Sequence, residues 1–169
     1  IYMNRYTIIT LNTWKTNGQP TYWNKRQPIM IDFFKKYRPD ISCIQENHPE
    51  IHIAILEGMP KYDFVNDIFE GWRTESNIYW NRDLFTEIDH GTHDVGILED
   101  NRKLFWVKLV TNDGNEFIVS TAHLTWQGQF MYENTNPRIS ESTKISVKLK
   151  EMSSLPLLFM GDMNCGFFP

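Results

Sequence analysis

Leu157-Leu158-Phe159-Met160-Gly161-Asp162-Met163-Asn164 sets four large apolar side chains in a row between Pro156 and a glycine. A run this short, bounded by two helix breakers, reads as a strand buried on both faces. Gly161 is read as its end. Asp162 and Asn164 follow two residues apart, so if the chain stays extended both side chains project to one side. A carboxylate and a carboxamide in one small volume can accept a proton, orient a water or support a metal. The same residue types are the usual turn formers, and taken alone the stretch favours a plain turn. The rest of the chain shifts that balance.

Working outward, other runs repeat this form. Arg5–Leu11 is β-rich with apolar residues on both faces and predicts a central strand ending at Asn12, followed by a turn at Asn17-Gly18-Gln19-Pro20. A helix is predicted from Pro28, which suits a first helical position, to the stop at Pro39, with Ile29, Phe33 and Tyr37 as its stripe and Ile31 and Phe34 broadening it. Ile41–Gln45 is a second buried strand, ending on Gln45-Glu46-Asn47. Pro49–Glu57 predicts a short helix and Tyr62–Val65 a strand. From Glu75 the texture turns to β, with strands expected at Asn77–Trp80, Phe85–His90, Lys103–Val110 and Phe117–Thr121. Asn112-Asp113-Gly114-Asn115 is a hairpin signal between the last two. His90 and His93, around Gly91-Thr92, read as a solvated turn. An irregular segment, Trp126–Pro137, precedes a helix from Arg138 to Met152 that returns the chain to the opening strand. The pattern predicts one layered α/β sandwich domain over residues 1–169.

Composition narrows the function. The 169 residues carry 21 acids against 17 bases, for a net charge of −4, which argues against a dedicated duplex phosphate-backbone binder. Lys35-Lys36-Arg38 and Lys144/Lys148/Lys150 fall on expected helices and read as solvated faces. Aromatics, at 14%, suit a thick core or a ring-lined pocket. Cys43 and Cys165 make no metal spacing. His48 and His52 do not share a helical face, because Pro49 starts the helix after His48. No stretch approaches a membrane span and no signal-peptide pattern is visible. The chain begins at Ile1, so its compartment is left open.

The polar residues at the strand ends carry the chemistry. Buried strands end in turn on Asn12, on Gln45-Glu46, on His123 and on Asp162-x-Asn164. Ends of core strands are where layered α/β proteins gather active sites. Asn12 alone is a turn former and His123 alone an ordinary half-buried histidine. Glu46 is harder to dismiss: a carboxylate directly after Ile-Ser-Cys-Ile-Gln costs desolvation unless it is paired, solvated or bound to a cation.

Leu-Asn-Thr-Trp (11–14), Pro-Asp-Ile-Ser-Cys-Ile-Gln-Glu (39–46), Ser-Thr-Ala-His-Leu (120–124) and Met-Gly-Asp-Met-Asn (160–164) resemble, in order, the motifs of the endonuclease/exonuclease/phosphatase superfamily, whose fold is DNase I-like. Tyr79-Trp80-Asn81-Arg82-Asp83-Leu84-Phe85, Arg102 and Arg138 are weaker echoes. The resemblance implies that Glu46 binds the divalent metal, normally Mg2+ with Mn2+ as the alternative. It implies that Asn12 lies beside metal and phosphate, that His123 contacts the phosphate, and that Asp162 and Asn164 orient the attacking water. Arg102, Arg138, Trp14 and Trp126 are candidate substrate contacts.

The implied function is metal-dependent hydrolysis of phosphoric esters, with a small or single-stranded phosphoester substrate preferred over duplex DNA. The other reading kept open is a relative that binds a phosphate ligand or partner without cleaving it. Family members continue past this last motif to a Ser-Asp-His whose histidine is catalytic, whereas the sequence stops at Pro169. The expectation is therefore a sandwich missing its C-terminal strands, and no competent hydrolysis by residues 1–169 alone.

Overall fold

A computed structural model describes residues 5–17, 20–127, 136–152 and 154–165. In chain order the elements are β1 (Ile8–Asn12), α1 (Trp23–Tyr37), β2 (Ile41–Gln45), α2 (Pro49–Gly58), β3 (Tyr62–Phe64), α3 (Gly71–Thr74), β4 (Ser76–Asn81), β5 (Phe85–His93), β6 (Leu104–Thr111), β7 (Glu116–His123), α4 (Pro137–Met152) and β8 (Leu157–Asp162). They build two four-stranded sheets, in the orders β1-β2-β4-β3 and β5-β6-β7-β8. β1 runs parallel to β2 and β7 parallel to β8; the other pairings are antiparallel. The expected layered α/β sandwich is what the chain forms. The turn at Asn17-Gly18-Gln19-Pro20 and the segment Trp126–Pro137 fall largely outside the described residues.

Alternation along the strands assigns each side chain to a layer. Ile41, Cys43, Ile78 and Trp80 of the first sheet share a dry core with Phe105, Val107, Leu109 and Val119 of the second. The opposite face of the first sheet, through Ile44 and Tyr79, packs on Phe34 of α1 and on Ile51 and Ile55 of α2. The outer face of the second, through Leu104 and Ala122, packs on Ile145 of α4. Apolar cover on both faces explains why β2 reads as a continuous buried run.

Several expectations change. α1 starts at Trp23, before Pro28, because Tyr22 in the left-handed region (φ 51°) turns its carbonyl to the N–H groups of Lys25 and Arg26. Pro28 thus lies inside the helix, on its exposed side, where the carbonyl deprived of a donor can turn to water. Its buried residues are Ile31 and Phe34, while Ile29 and Tyr37 face outward. β1 and β8 are edge strands of the described sheets, and, separately, β8 is not buried on both faces: Leu158 is exposed. His90 and His93 are on β5, not in a turn.

Gly161 does not end β8 but lies within it, opposite Ala122. A Cβ there would stand 2.1 Å from the Ala122 carbonyl oxygen, so the parallel pair closes only around a glycine. Gly161→Ala is expected to force β8 away from β7, with a loss of about 1–3 kcal/mol or more, read from urea unfolding midpoints.

His90 ties β5 to the loop before α3. Its Nδ1 lies 2.5 Å from Glu87 Oε1 and its Nε2 3.1 Å from Asp67 Oδ2. Partial burial opposes the ring's charge, but the two carboxylates outweigh it and raise its pKa above the ordinary histidine value. The stabilisation is therefore complete below the unfolded histidine value and is lost as pH rises through the raised one. Melting temperature should fall over that window in the wild type, with a flatter profile in His90→Gln.

Candidate active site

Strand register brings the site together before any side chain is considered. Asn12 is paired with Gln45 at the ends of β1 and β2, and His123 with Asp162 at the ends of β7 and β8. Period two then places all four on the inward faces: Asn12 follows Ile8, Gln45 follows Ile41 and Cys43, His123 follows Val119, and Asp162 follows Met160, all members of the central core. The C-terminal ends of four strands from two sheets meet at one edge of the sandwich.

Side chains lock the two sheets across this edge. Gln45 Nε2 donates to Thr121 Oγ1 at 2.9 Å and to Thr10 Oγ1 at 3.1 Å. Asn12 Nδ2 donates to Glu46 Oε1 at 3.0 Å and to Asp162 Oδ2 at 2.8 Å, so one amide touches both carboxylates. Asn12 Oδ1 accepts the N–H of Trp14 at 2.9 Å, which fixes the amide's orientation. Glu46 lies just past β2 with φ 53°, a turn that swings its carboxylate out of the strand direction to a half-buried position.

Asp162 accepts Asn12 on one oxygen and the main-chain N–H of Asn164 on the other, at 2.9 Å. Burial opposes its charge, but these hydrogen bonds, with the nearby charges of His123 and Arg102, hold it below the usual carboxylate range. Extended geometry does not continue to Asn164, whose φ is 47°. The two residues meet through a turn capped by the aspartate itself, and Asn164 Nδ2 donates to the Leu124 carbonyl at 2.7 Å. The turn reading holds here; the extended geometry on which a shared side-chain volume depended does not.

His123 is 2% exposed, with Nε2 3.7 Å from Asp162 Oδ2 and Nδ1 3.7 Å from Glu75 Oε2. Both distances exceed hydrogen-bonding range, so the ring is flanked by carboxylates rather than bonded to either. Glu75 is the site residue that sequence reading missed. It is 4% exposed, just before β4, and it pairs with Lys15 Nζ at 2.8 Å and Arg102 Nε at 3.1 Å. Burial works against its charge, yet His123, Lys15 and Arg102 together keep its pKa below the ordinary glutamate value. Its signal was present: a carboxylate directly beside the buried run Ser-Asn-Ile-Tyr-Trp, the argument already applied to Glu46.

Two of the candidate substrate contacts, Arg102 and Arg138, are turned to internal acceptors. Arg102, 8% exposed, bonds Glu75 and, at 3.3 Å, the Leu124 carbonyl. Arg138 is buried, with Nη1 donating to the carbonyls of Thr125 and Gln127. Internal acceptors thus hold part of each guanidinium. Trp14 and Trp126, at 52% and 55% exposed, do face solvent. A cavity of about 470 Å3 lies at the opposite end of the sandwich, among Tyr6, Ile8, Phe117 and Leu157. With Asp113 and Glu116 and no cation in its lining, it does not suit a phosphate.

Among the described residues no three of His, Cys, Asp and Glu cluster as a metal cage. The donors at Glu46 and Asp162 are hard oxygens, without the nitrogen and sulfur set zinc prefers. One or two carboxylates, with the remaining positions left to water and phosphate, is how Mg2+ is commonly held, so the residues fit that ion. Among the described residues, no helix is long and apolar enough to cross a membrane.

No family model matches the chain. Among curated proteins it resembles the probable RNA exonuclease NGL3 of Saccharomyces cerevisiae, at 23% identity over 182 residues that take in 94% of this chain and 35% of that protein. Among solved structures it superposes on an endonuclease/exonuclease/phosphatase family protein of Bacteroides thetaiotaomicron, with TM-score 0.77, 20% identity, and 94% and 63% of the two chains covered. A mannosyl-6-phosphatase of the same organism gives TM-score 0.78 and 20% identity over 95% and 66%. D. rerio TDP2 complexed with single strand DNA product gives 0.74 and 20% over 96% and 62%. The chain spans 35% of the curated relative and just under two thirds of these solved chains.

Proposed function

Because this chain has the fold of the endonuclease/exonuclease/phosphatase superfamily, we propose that the strand-end cluster is the phosphate centre of a metal-dependent phosphoric-ester hydrolase. The observation that carries the reading is the Asn12 amide, bonded at once to Glu46 from one sheet and Asp162 from the other, with His123 beside the same Asp162 oxygen. Glu46 is the residue that would hold Mg2+. Bound there, the ion would supply positive charge to the phosphate oxygens.

The chain's own groups supply the rest. His123 donates toward the equatorial oxygens, where charge develops in phosphoryl transfer, while Asn12, with its amide hydrogens on Glu46 and Asp162, aligns the two carboxylates beside the phosphate. Asp162, kept ionised by its hydrogen bonds, aligns the attacking water and accepts its hydrogen bond. Asn164 holds the Asp162 turn. Glu75 sets the His123 ring from behind. Asn12, Asp162 and Asn164 are fixed by hydrogen bonds before substrate arrives, the preorganisation that electrostatic catalysis needs.

For substrate, the reading favours a small or single-stranded phosphoester. A duplex binder neutralises several phosphates with Lys and Arg, and its affinity falls steeply with salt. Here acids exceed bases, and the residues that face solvent near the cluster are indoles, Trp14 beside Asn12 and Trp126 three residues past His123. Exposed rings suit stacking on a base or sugar. The names of the relatives, an RNA exonuclease, a sugar phosphatase and a protein holding a single-stranded product, lean the same way. The test compares full-length protein on single-stranded RNA, duplex DNA and small phosphodiesters at about 150 mM salt. Cleavage of the first or last is expected. Efficient duplex nicking with small esters untouched would overturn the substrate reading, and cation binding without any turnover would favour a phosphate-binding relative.

A further inference from the structure

The geometry assigns Arg26 a positioning role: its guanidinium holds the loop 13–15 in the shape that joins both halves of the proposed phosphate centre. The Mn2+ and turnover arms of the test below rest on the hydrolase reading; the exchange arm does not.

Arg26 lies in the first turn of α1, close enough to Glu46 to feel its charge but with its hydrogen bonds spent on main-chain carbonyls. Its Nη1 donates to the Thr13 carbonyl at 2.6 Å, and its Nη2 to the carbonyls of Trp14 at 2.7 Å and Lys15 at 2.8 Å. Nε donates to Thr21 O at 2.6 Å. Three consecutive carbonyls converging on one point repel one another, and Trp14 is held at φ 50° to allow it. A chain does not keep that shape unaided. A planar fork of charged donors offsets the repulsion in a way a lysine, with one compact ammonium, cannot reproduce. The indoles of Trp14 and Trp23 lie 5.2 and 5.4 Å from the guanidinium carbon, adding cation–π attraction.

Each residue of the clamped loop then reaches a different part of the centre. Thr13 Oγ1 donates to the carbonyls of Gln45 at 2.9 Å and Glu46 at 3.0 Å, and its N–H to Gln45 O, fixing the turn that aims the Glu46 carboxylate. The Trp14 N–H holds Asn12 Oδ1, leaving Nδ2 to face both carboxylates. Lys15 Nζ pairs with Glu75, which faces His123. Release of the loop would thus disturb Glu46, Asn12 and Glu75 together. A role confined to stability would lower melting temperature and nothing else.

The experiment uses full-length protein with Arg26→Lys, Arg26→Ala, and Phe34→Leu as a control for destabilisation within the same helix. Amide exchange is read at Thr13, bonded to Gln45 O, and at Asn47, bonded to Glu75 O. Both should speed up by about tenfold or more in the Arg26 variants, as local opening rather than global unfolding requires. Mn2+ affinity by calorimetry should weaken by about 10–100-fold, the usual effect of losing a group that orients a ligand. With a substrate in hand, kcat should fall more than KM rises, and methylguanidinium should restore part of the loss in Arg26→Ala only. Arg26 variants that match Phe34→Leu in exchange and Mn2+ affinity at equal melting temperature would overturn the assignment. If the wild type turns over no phosphoester, the hydrolase reading falls while the exchange measurement still decides on Arg26.

Discussion

Glu46→Gln is expected to weaken Mg2+ or Mn2+ binding by more than about 100-fold and to lower phosphoester turnover by on the order of 10^4 or more. The substitution keeps shape: the glutamine oxygen can still accept the Asn12 Nδ2–H, now 3.0 Å from Oε1. Folding should therefore change little, because the half-buried side chain keeps its shape and its hydrogen bond. What is lost is the negative charge that a hard cation needs. His123→Ala should reduce turnover by a similar factor while leaving cation affinity nearly intact, because the ring faces Asp162 and Glu75 rather than Glu46. Groups that act as a unit are strongly non-additive, so the double variant should be little slower than either single one. Calorimetric titration and steady-state kinetics on the full-length protein measure all three; equal cation affinity in wild type and Glu46→Gln would sink the metal assignment.

Arg102→Ala is expected to cost about 3–5 kcal/mol of stability, the range for stripping one partner from a buried ion pair. Arg102 and Glu75 are 8% and 4% exposed, so water cannot replace the lost guanidinium. Lys15, still 2.8 Å from Glu75, compensates in part and places the effect toward the lower end. Adding Glu75→Gln should recover some of the loss, since the stranded charge is then gone. Urea unfolding of the four proteins of this double-mutant cycle gives the coupling directly. A cost near zero for Arg102→Ala would mean that the pair is open to solvent. The same result separates two roles for Arg102, because a substrate contact would alter KM and leave stability alone.

Much of this architecture was legible in the residues. Runs such as Ile-Ser-Cys-Ile-Gln and Leu-Phe-Trp-Val-Lys-Leu-Val declare strands by alternation and by cover on both faces, and Asp113-Gly114 declares the hairpin between β6 and β7. Position within the sheets was not legible. β1 and β8 look like central strands, yet each is an edge of its sheet among the described residues, because apolar content reports burial from packing above and below and says nothing of ladder partners. Gly161 reads as a terminator since glycine ends most apolar runs; only the approach of the Ala122 backbone shows it is required within the strand. The start of α1 was missed because Tyr22, which makes no side-chain cap, is a poor cap by type and its left-handed conformation leaves no mark in the sequence.

At the site, the sequence by itself determined which polar groups stand at strand ends: Asn12, Glu46, His123, Asp162 and Asn164. Period two and strand length are local properties, so the faces of Asn12, His123 and Asp162 follow from the runs before them, whereas the left-handed turns at Glu46 and Asn164 do not. Tertiary structure alone decided which of them meet. Asn12 and Asp162 are 150 residues apart and share a hydrogen bond only because two sheets stack with their strand ends level. Tertiary structure alone also decided which charged groups turn inward. Arg102 and Arg138 resemble substrate contacts in sequence but are turned inward to buried acceptors, while Glu75 and Arg26, which no motif marks, hold the centre from behind. The reason is physical: a charged side chain carries no record of its partner, and burial, which makes that partner obligatory, is a property of the packed chain.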